Sequence, residues 1–289
     1  MSHIIQFENV GLRYGTGAET LSDITFSLAK GGFYFLTGPS GAGKTSLLKL
    51  LYLSQRPSRG LIRLFGDDMV TMPRDKLPLY RRRIGVVFQD FRLLNHMSAF
   101  DNVALPLRIQ GRPEKEIRNN VGELLDWVGL GDHKHALPNT MSGGQQQRVA
   151  VARALVFEPQ LVLMDEPLAN LDYKLREELR EELPKIFASS GAIFVYATTE
   201  PSEALLLGGN TATLSEGRVT QFGPTPHLYR DPFDLATAEV FSDPPLNTLT
   251  AEKRGSAFAI QGAPDLAAVG SLARLGDGRY TLGFRAHHL

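Results

Sequence analysis

The run Gly38-Pro39-Ser40-Gly41-Ala42-Gly43-Lys44-Thr45, followed by Ser46, sets two glycines, a lysine and a hydroxyl at the spacing of a phosphate-binding loop. The glycines let successive backbone N–H groups turn toward one anion, Lys44 reaches the β- and γ-phosphates, and the Thr45 hydroxyl is placed to ligate Mg²⁺. A helix beginning here aims the positive end of its dipole at the same point. By itself this loop says only NTPase or kinase. Further on, Leu161-Val162-Leu163-Met164-Asp165-Glu166 ends an apolar run on two carboxylates, whose burial is costly without a cation or hydrogen-bond donors. Beside a phosphate loop, the first carboxylate supports Mg²⁺ and the second polarises an attacking water.

These residues need elements to hold them. The pattern predicts strands over 4–10, 23–28 and 33–37, separated by glycine-rich breaks, and then a helix over 46–53. The apolar runs 84–88, 161–164 and 192–197 are short and nearly continuous, as strands buried on both faces of a largely parallel sheet are. The reading is an α/β chain with a doubly wound core. Residues from about 90 to 158 are helical in period and read as an insertion in that core, and 174–189 reads as an exposed helix. Prolines and glycines gather after residue 219, so 1–224 is expected to form one domain, 225–245 a linker, and 246–289 a small extension with strand-like pieces at 257–261 and 280–284.

Composition narrows the class. Thirty-one basic and thirty-one acidic residues leave no net charge, which gives no support to a nucleic-acid partner. The absence of cysteine excludes disulfides, thiolate catalysis and cysteine-ligated zinc, and the seven histidines show no metal spacing. The start lacks the basic-then-apolar pattern of a secretory signal, and no apolar run is long enough to span a bilayer. A soluble, intracellular protein is expected.

Between the loop and the acidic strand lies Met141-Ser142-Gly143-Gly144-Gln145-Gln146-Gln147-Arg148. With it the chain resembles the ATP-binding-cassette (ABC) ATPases over residues 3 to about 220. The resemblance implies a phosphate-loop NTPase (RecA-like) core with an inserted helical subdomain, using ATP and Mg²⁺. It implies that Tyr14 stacks on adenine and that Gln89 senses Mg²⁺ and the attacking water. Ser142, Gly143, Gly144 and Gln145 would bind the γ-phosphate held by the opposite subunit. Asp165 would support Mg²⁺ together with Thr45 and Gln89, Glu166 would be the general base, and Asp172 would bridge the two subunits. One residue departs from the pattern: where the family usually places a histidine that hydrogen-bonds the γ-phosphate, Phe194-Val195-Tyr196-Ala197-Thr198-Thr199 puts Thr199. Threonine donates a hydrogen bond but is shorter and cannot become cationic. Reduced turnover at this site is expected, and a mixed dimer with a histidine-bearing second ATPase is favoured over a homodimer.

Two resemblances compete over what the ATPase drives. Residues 7–38, 82–94 and 102–107 resemble the bacterial cell-division ATPase FtsE, which implies an FtsX-like membrane partner controlling cell-wall hydrolases. Residues 165–172, 196–201 and 217–224 resemble ATPases of carbohydrate and polyol importers, notably the glycerol type, which implies membrane permeases as partners. Residues 244–247 and 282–289 resemble the opening of those importers' C-terminal β-barrel extension, which runs much longer in that group, so a truncated barrel is expected. Import is the preferred reading, at the cytoplasmic face of the inner membrane.

Overall fold

The computed structural model describes residues 3–168, 176–177 and 191–286. Strands β1 (His3–Arg13) and β2 (Glu19–Ala29) pair antiparallel, with the rings of Phe7 and Phe26 stacked 4.9 Å apart. β3 (Phe33–Thr37) leaves them for a second sheet and runs into the phosphate loop and α1 (Lys44–Leu51). β4 (Arg59–Leu64) and the two-residue β5 (Asp67–Asp68) return to the first sheet, whose order is β2-β1-β4-β5. The Arg59 guanidinium ties β4 to β2 through Glu19 at 3.0 Å and Asp23 at 2.7 Å.

The short helix α2 (Leu77–Arg81) leads to β6 (Ile84–Val87), and the insertion follows as α3 (Ala99–Ile109), α4 (Glu114–Trp127) and α5 (Gly143–Leu155). Apolar residues at helical spacing, Val103 and Leu107, then Ile117, Val121 and Leu125, then Val149 and Ala152, meet in a core of their own. The chain then re-enters the main sheet as β7 (Leu161–Asp165) and β8 (Ile193–Thr198), continues through α6 (Pro201–Leu207), and closes the sheet with β9 (Asn210–Ser215) and β10 (Arg218–Pro224). The order is β10-β9-β3-β8-β7-β6, parallel except for the antiparallel edge β10. Alternation splits these strands between two cores. Leu36, Leu163, Val195 and Leu214 face α1 and the antiparallel sheet, while Phe35, Val162, Met164 and Tyr196 face Ala150, Val151 and Ala154 of α5.

Two stretches hold more structure than the sequence pattern suggests. The stretch 225–245, expected as a linker, carries α7 (Thr225–Arg230) and α8 (Leu235–Val240). Pro226 lies in the first turn of α7, where a missing N–H costs nothing. Buried threonines stitch this stretch to the sheet, Thr225 to Thr211 at 2.8 Å and Thr237 to Thr220 at 2.8 Å, with Thr220 bonded to Thr213 at 2.7 Å. The extension is also fuller than two strand-like pieces. β11 (Asn247–Arg254), β12 (Ala257–Ile260), β13 (Leu266–Ala267) and β14 (Gly278–Phe284) form an open antiparallel sheet in the order β13-β12-β11-β14. Arg285 seats it, lying 4.1 Å over the Tyr229 ring and donating from Nε to Ser242 Oγ at 3.3 Å. Of the expected helix over 174–189, only Arg176 and Glu177 are described, and both are helical.

Candidate active site

The parallel strands bring the chemistry to one edge of the sheet. The phosphate loop follows β3, Gln89 follows β6, Asp165 ends β7 with Glu166 next, and Thr199 follows β8. Because β3, β8, β7 and β6 are consecutive neighbours, spaced about 4.8 Å apart, residues distant in sequence converge at the carboxyl ends of the strands.

Lys44 is buried, and its Nζ donates to the carbonyls of Gly38 at 2.8 Å and Pro39 at 3.0 Å. Burial lowers its pKa, against the pull of Glu166 and Asp165. Gly38 must be glycine: its φ is +156°, and a Cβ would stand 2.1 Å from the Leu214 carbonyl oxygen. Pro39, Ser40 and Gly41 are exposed, Ala42 is buried, and the Ala42 carbonyl accepts from Gly217 N–H at 3.2 Å, which anchors the loop to the β9–β10 turn. Gly43 takes φ 105° as N-cap of α1. Thr45 Oγ1 donates to Asp165 Oδ1 at 3.2 Å, and Gln89 Nε2 donates to Glu166 Oε2 at 3.1 Å. Burial pushes the Asp165 carboxyl above the usual range, and the Thr45 hydroxyl holds it back. A cleft of about 340 Å³ joins Ser40, Gly41, Gly43, Lys44, Thr45, Ser46, Gln89 and Glu166.

The remaining candidates lie around this cleft. The Tyr14 hydroxyl is 3.3 Å from Ser46 Oγ, Lys49 Nζ lies over its ring at 5.6 Å, and the residue is 41% exposed beside the loop helix. Ser142 caps α5: its Oγ accepts from Gln145 N–H at 3.3 Å and its own N–H donates to Gln145 Oε1 at 2.9 Å. Ser142 and Gly143 are exposed and Gly144 is buried, and none of 142–145 lines the Lys44 cleft. Thr199 is exposed on a separate cleft of about 600 Å³ that it shares with Gly38, Pro39, Glu200 and Ser242. Asp172 lies outside the described residues.

One positioning residue had no signal in the sequence. Arg153 of α5 donates to the carbonyls of Arg92 at 2.7 Å and Phe91 at 2.6 Å. Phe91 and Arg92 both have positive φ, at 56° and 47°. The turn just after Gln89 is therefore held by the far end of the helix that Ser142 begins.

A glycine loop on β3, a hydroxyl–carboxylate pair and a glutamate–glutamine pair, all at one edge of a parallel sheet with a helical insertion, define a phosphate-loop ATPase of the cassette class. A family model described as ABC transporter matches residues 21–169, and the chain belongs to that family. It is 37% identical over 268 residues to the spermidine/putrescine import ATP-binding protein PotA of Protochlamydia amoebophila, covering 91% of this chain and 70% of that protein. It is 39% identical over 232 residues to the uncharacterized ABC transporter ATP-binding protein YdcT of Escherichia coli, covering 80% of this chain and 67% of that one. Against the PotA protein of Bacteroides thetaiotaomicron the chain spans 50% of the relative's length. Among solved structures, the dimeric post-hydrolysis state of the ATP-binding cassette MJ0796 bound to ADP and Pi matches with a TM-score of 0.71 at 31% identity, over 76% of this chain and 98% of that one. The chain is an ATPase that binds ATP. The named import relatives are named for polyamines, not for carbohydrate or polyol uptake or for cell division.

Proposed function

We propose that this chain is the ATP-hydrolysing subunit of an importer for a small polar solute, with polyamines as the solute class its relatives' names favour over carbohydrates or glycerol. The observation that carries the catalytic part is the double pairing of Thr45 with Asp165 and of Gln89 with Glu166. In this reading the loop N–H groups and Lys44 hold the β- and γ-phosphates, and the partly exposed Tyr14 ring stacks on the adenine. Thr45, Asp165 and Gln89 fit a Mg²⁺ ion, since a hydroxyl 3.2 Å from a partly buried carboxylate is an oxygen donor set of the kind a hard cation takes beside phosphates. Bound there, Mg²⁺ would neutralise phosphate charge. Glu166, oriented by Gln89, takes the proton of the attacking water, and Thr199 donates to the γ-phosphate.

Ser142, Gly143, Gly144 and Gln145 meet the nucleotide of a second ATPase subunit, with Asp172 at that junction. The dimeric state of the MJ0796 cassette supports a second subunit. Thr199 favours a mixed dimer whose other member carries a histidine. Closing and reopening of the dimer moves a membrane permease seated near Gln89 at the cytoplasmic face. Among the described residues no helix is long and apolar enough to cross a membrane. The test is co-purification of the tagged Glu166→Gln chain from detergent-solubilised membranes with ATP, followed by uptake of labelled putrescine and labelled glycerol in vesicles holding the recovered partners with the wild-type chain. Two permeases and putrescine uptake support the proposal. Recovery of a single division-type membrane protein, with no uptake, sinks it.

A further inference from the structure

The corner that carries Thr199 is built around a buried carboxylate with no part in the chemistry above. Glu203 is 3% exposed and stands in the first turn of α6. Its Oε2 accepts from Thr198 Oγ1 at 2.7 Å, and that same hydroxyl accepts from the Glu200 backbone N–H at 2.9 Å. The Glu203 N–H donates to the Glu200 carbonyl at 3.1 Å. These three bonds enclose Thr199 on both sides in sequence, whereas the Thr199 side chain makes no hydrogen bond among the described residues. Glu200 adds a tie through Arg176 at 3.2 Å. Burying a carboxylate is expensive unless it is hydrogen-bonded, and a purely structural packing role at this position is served more cheaply by an apolar side chain.

We propose that Glu203 is a positioning residue for Thr199, holding the β8–α6 corner through Thr198 so that Thr199 keeps its place in the cleft it shares with Gly38 and Pro39. The inference rests on the reading of Thr199 as a donor to the γ-phosphate. A threonine makes the demand sharper. Its hydroxyl sits on a β-branched carbon with one stiff torsion, so the backbone alone sets where the donor lies. A longer side chain with two torsions adjusts to a small backbone error.

Steady-state ATPase assays on the full chain test this. Glu203→Leu and Thr198→Val each lower kcat about 10-fold with the KM for Mg·ATP changed less than about twofold. Thr198→Val keeps the shape of the residue and serves where Glu203→Leu does not fold. Glu203→Gln, which retains an acceptor oxygen, recovers most of the rate. In a Thr199→Ala background Glu203→Leu has no further effect, because the group it positions is gone. Losses that multiply in the double variant, or a KM that rises in step with the fall in kcat, overturn the proposal. They leave the ATPase reading standing, since Glu166→Gln still abolishes hydrolysis. An unchanged kcat in Thr199→Ala alone removes the donor role and the proposal with it.

Discussion

The backbone N–H of Glu166 donates to the carbonyl oxygen of Ala197 at 2.9 Å. Glu166 adopts φ 45°, a left-handed conformation that a non-glycine residue holds only under constraint. The candidate base is thus fixed from two directions, its main chain by the strand that leads to Thr199 and its carboxylate by Gln89. Glu166→Gln keeps both contacts and removes the proton acceptor. Turnover should fall at least about 100-fold, while ATP drives the variant to a stable dimer seen by size-exclusion chromatography. Wild-type turnover in this variant refutes the assignment.

Thr199→His restores a longer donor that can carry charge. If the short hydroxyl limits the wild-type chain, kcat at saturating Mg·ATP rises about 10-fold, the scale of a well-placed hydrogen bond to developing charge. The same substitution should have no effect when the chain is assayed with a histidine-bearing partner whose own site does the work. A kcat unchanged in the chain alone would show that Thr199 is not what slows it.

Asp165 gives a stability prediction whose sign is set by burial. Its folded pKa is raised, first by desolvation, with the Thr45 hydroxyl and Lys44 opposing and Glu166 adding to the rise. The stabilisation from its proton is therefore complete below the unfolded value, near pH 4, and is lost as pH rises through the folded value. At neutral pH the ionised carboxylate works against the nucleotide-free fold. Asp165→Asn should raise the melting temperature of that form by about 2–4 °C in scanning calorimetry while cutting Mg²⁺-dependent hydrolysis. A lowered melting temperature would place the carboxylate among the stabilising contacts instead.

Arg153→Met should loosen the turn that follows Gln89. It removes the bonds to the Phe91 and Arg92 carbonyls, at a cost of about 0.5–1.5 kcal/mol for each bond lost at this partly exposed turn. Hydrogen exchange should quicken over 89–98 and stay unchanged in α1, with a lower kcat. Uniform protection across both regions would show that the turn holds itself.

Much of this site could be read from the sequence because its residues are contiguous. Strand, glycine loop and helix follow one another over Phe33 to Leu51, and Asp165 and Glu166 sit at the end of an uninterrupted apolar strand. Contacts made across space were hidden. Glu203 and Arg153 look like ordinary charged helix residues until Thr198 and the Phe91 carbonyl are brought beside them. β11 was missed because one of its inward positions is Lys253, only 4% exposed, whose Nζ donates to the Gly255 carbonyl at 2.6 Å, so the alternation of apolar residues never formed. β4 was missed for a similar reason, with Arg59 and Arg63 interrupting a six-residue strand. The prolines of 224–226 suggested a break, yet they start a helix.

The threonine stitches between the sheet and residues 225 and 237 also govern what can be grafted onto this ATPase. Greasy surfaces accept many partners and slide by fractions of an ångström at little cost. A hydroxyl offers one proton in one direction, so Thr211 with Thr225, and Thr220 with Thr237, match only when both halves arrive in register. Exchange of the C-terminal appendage between related cassettes therefore has a natural cutting point after Val240. The helices before it belong to the socket, and the sheet after it can vary as a module that keeps Arg285, whose guanidinium lies 4.1 Å over the Tyr229 ring.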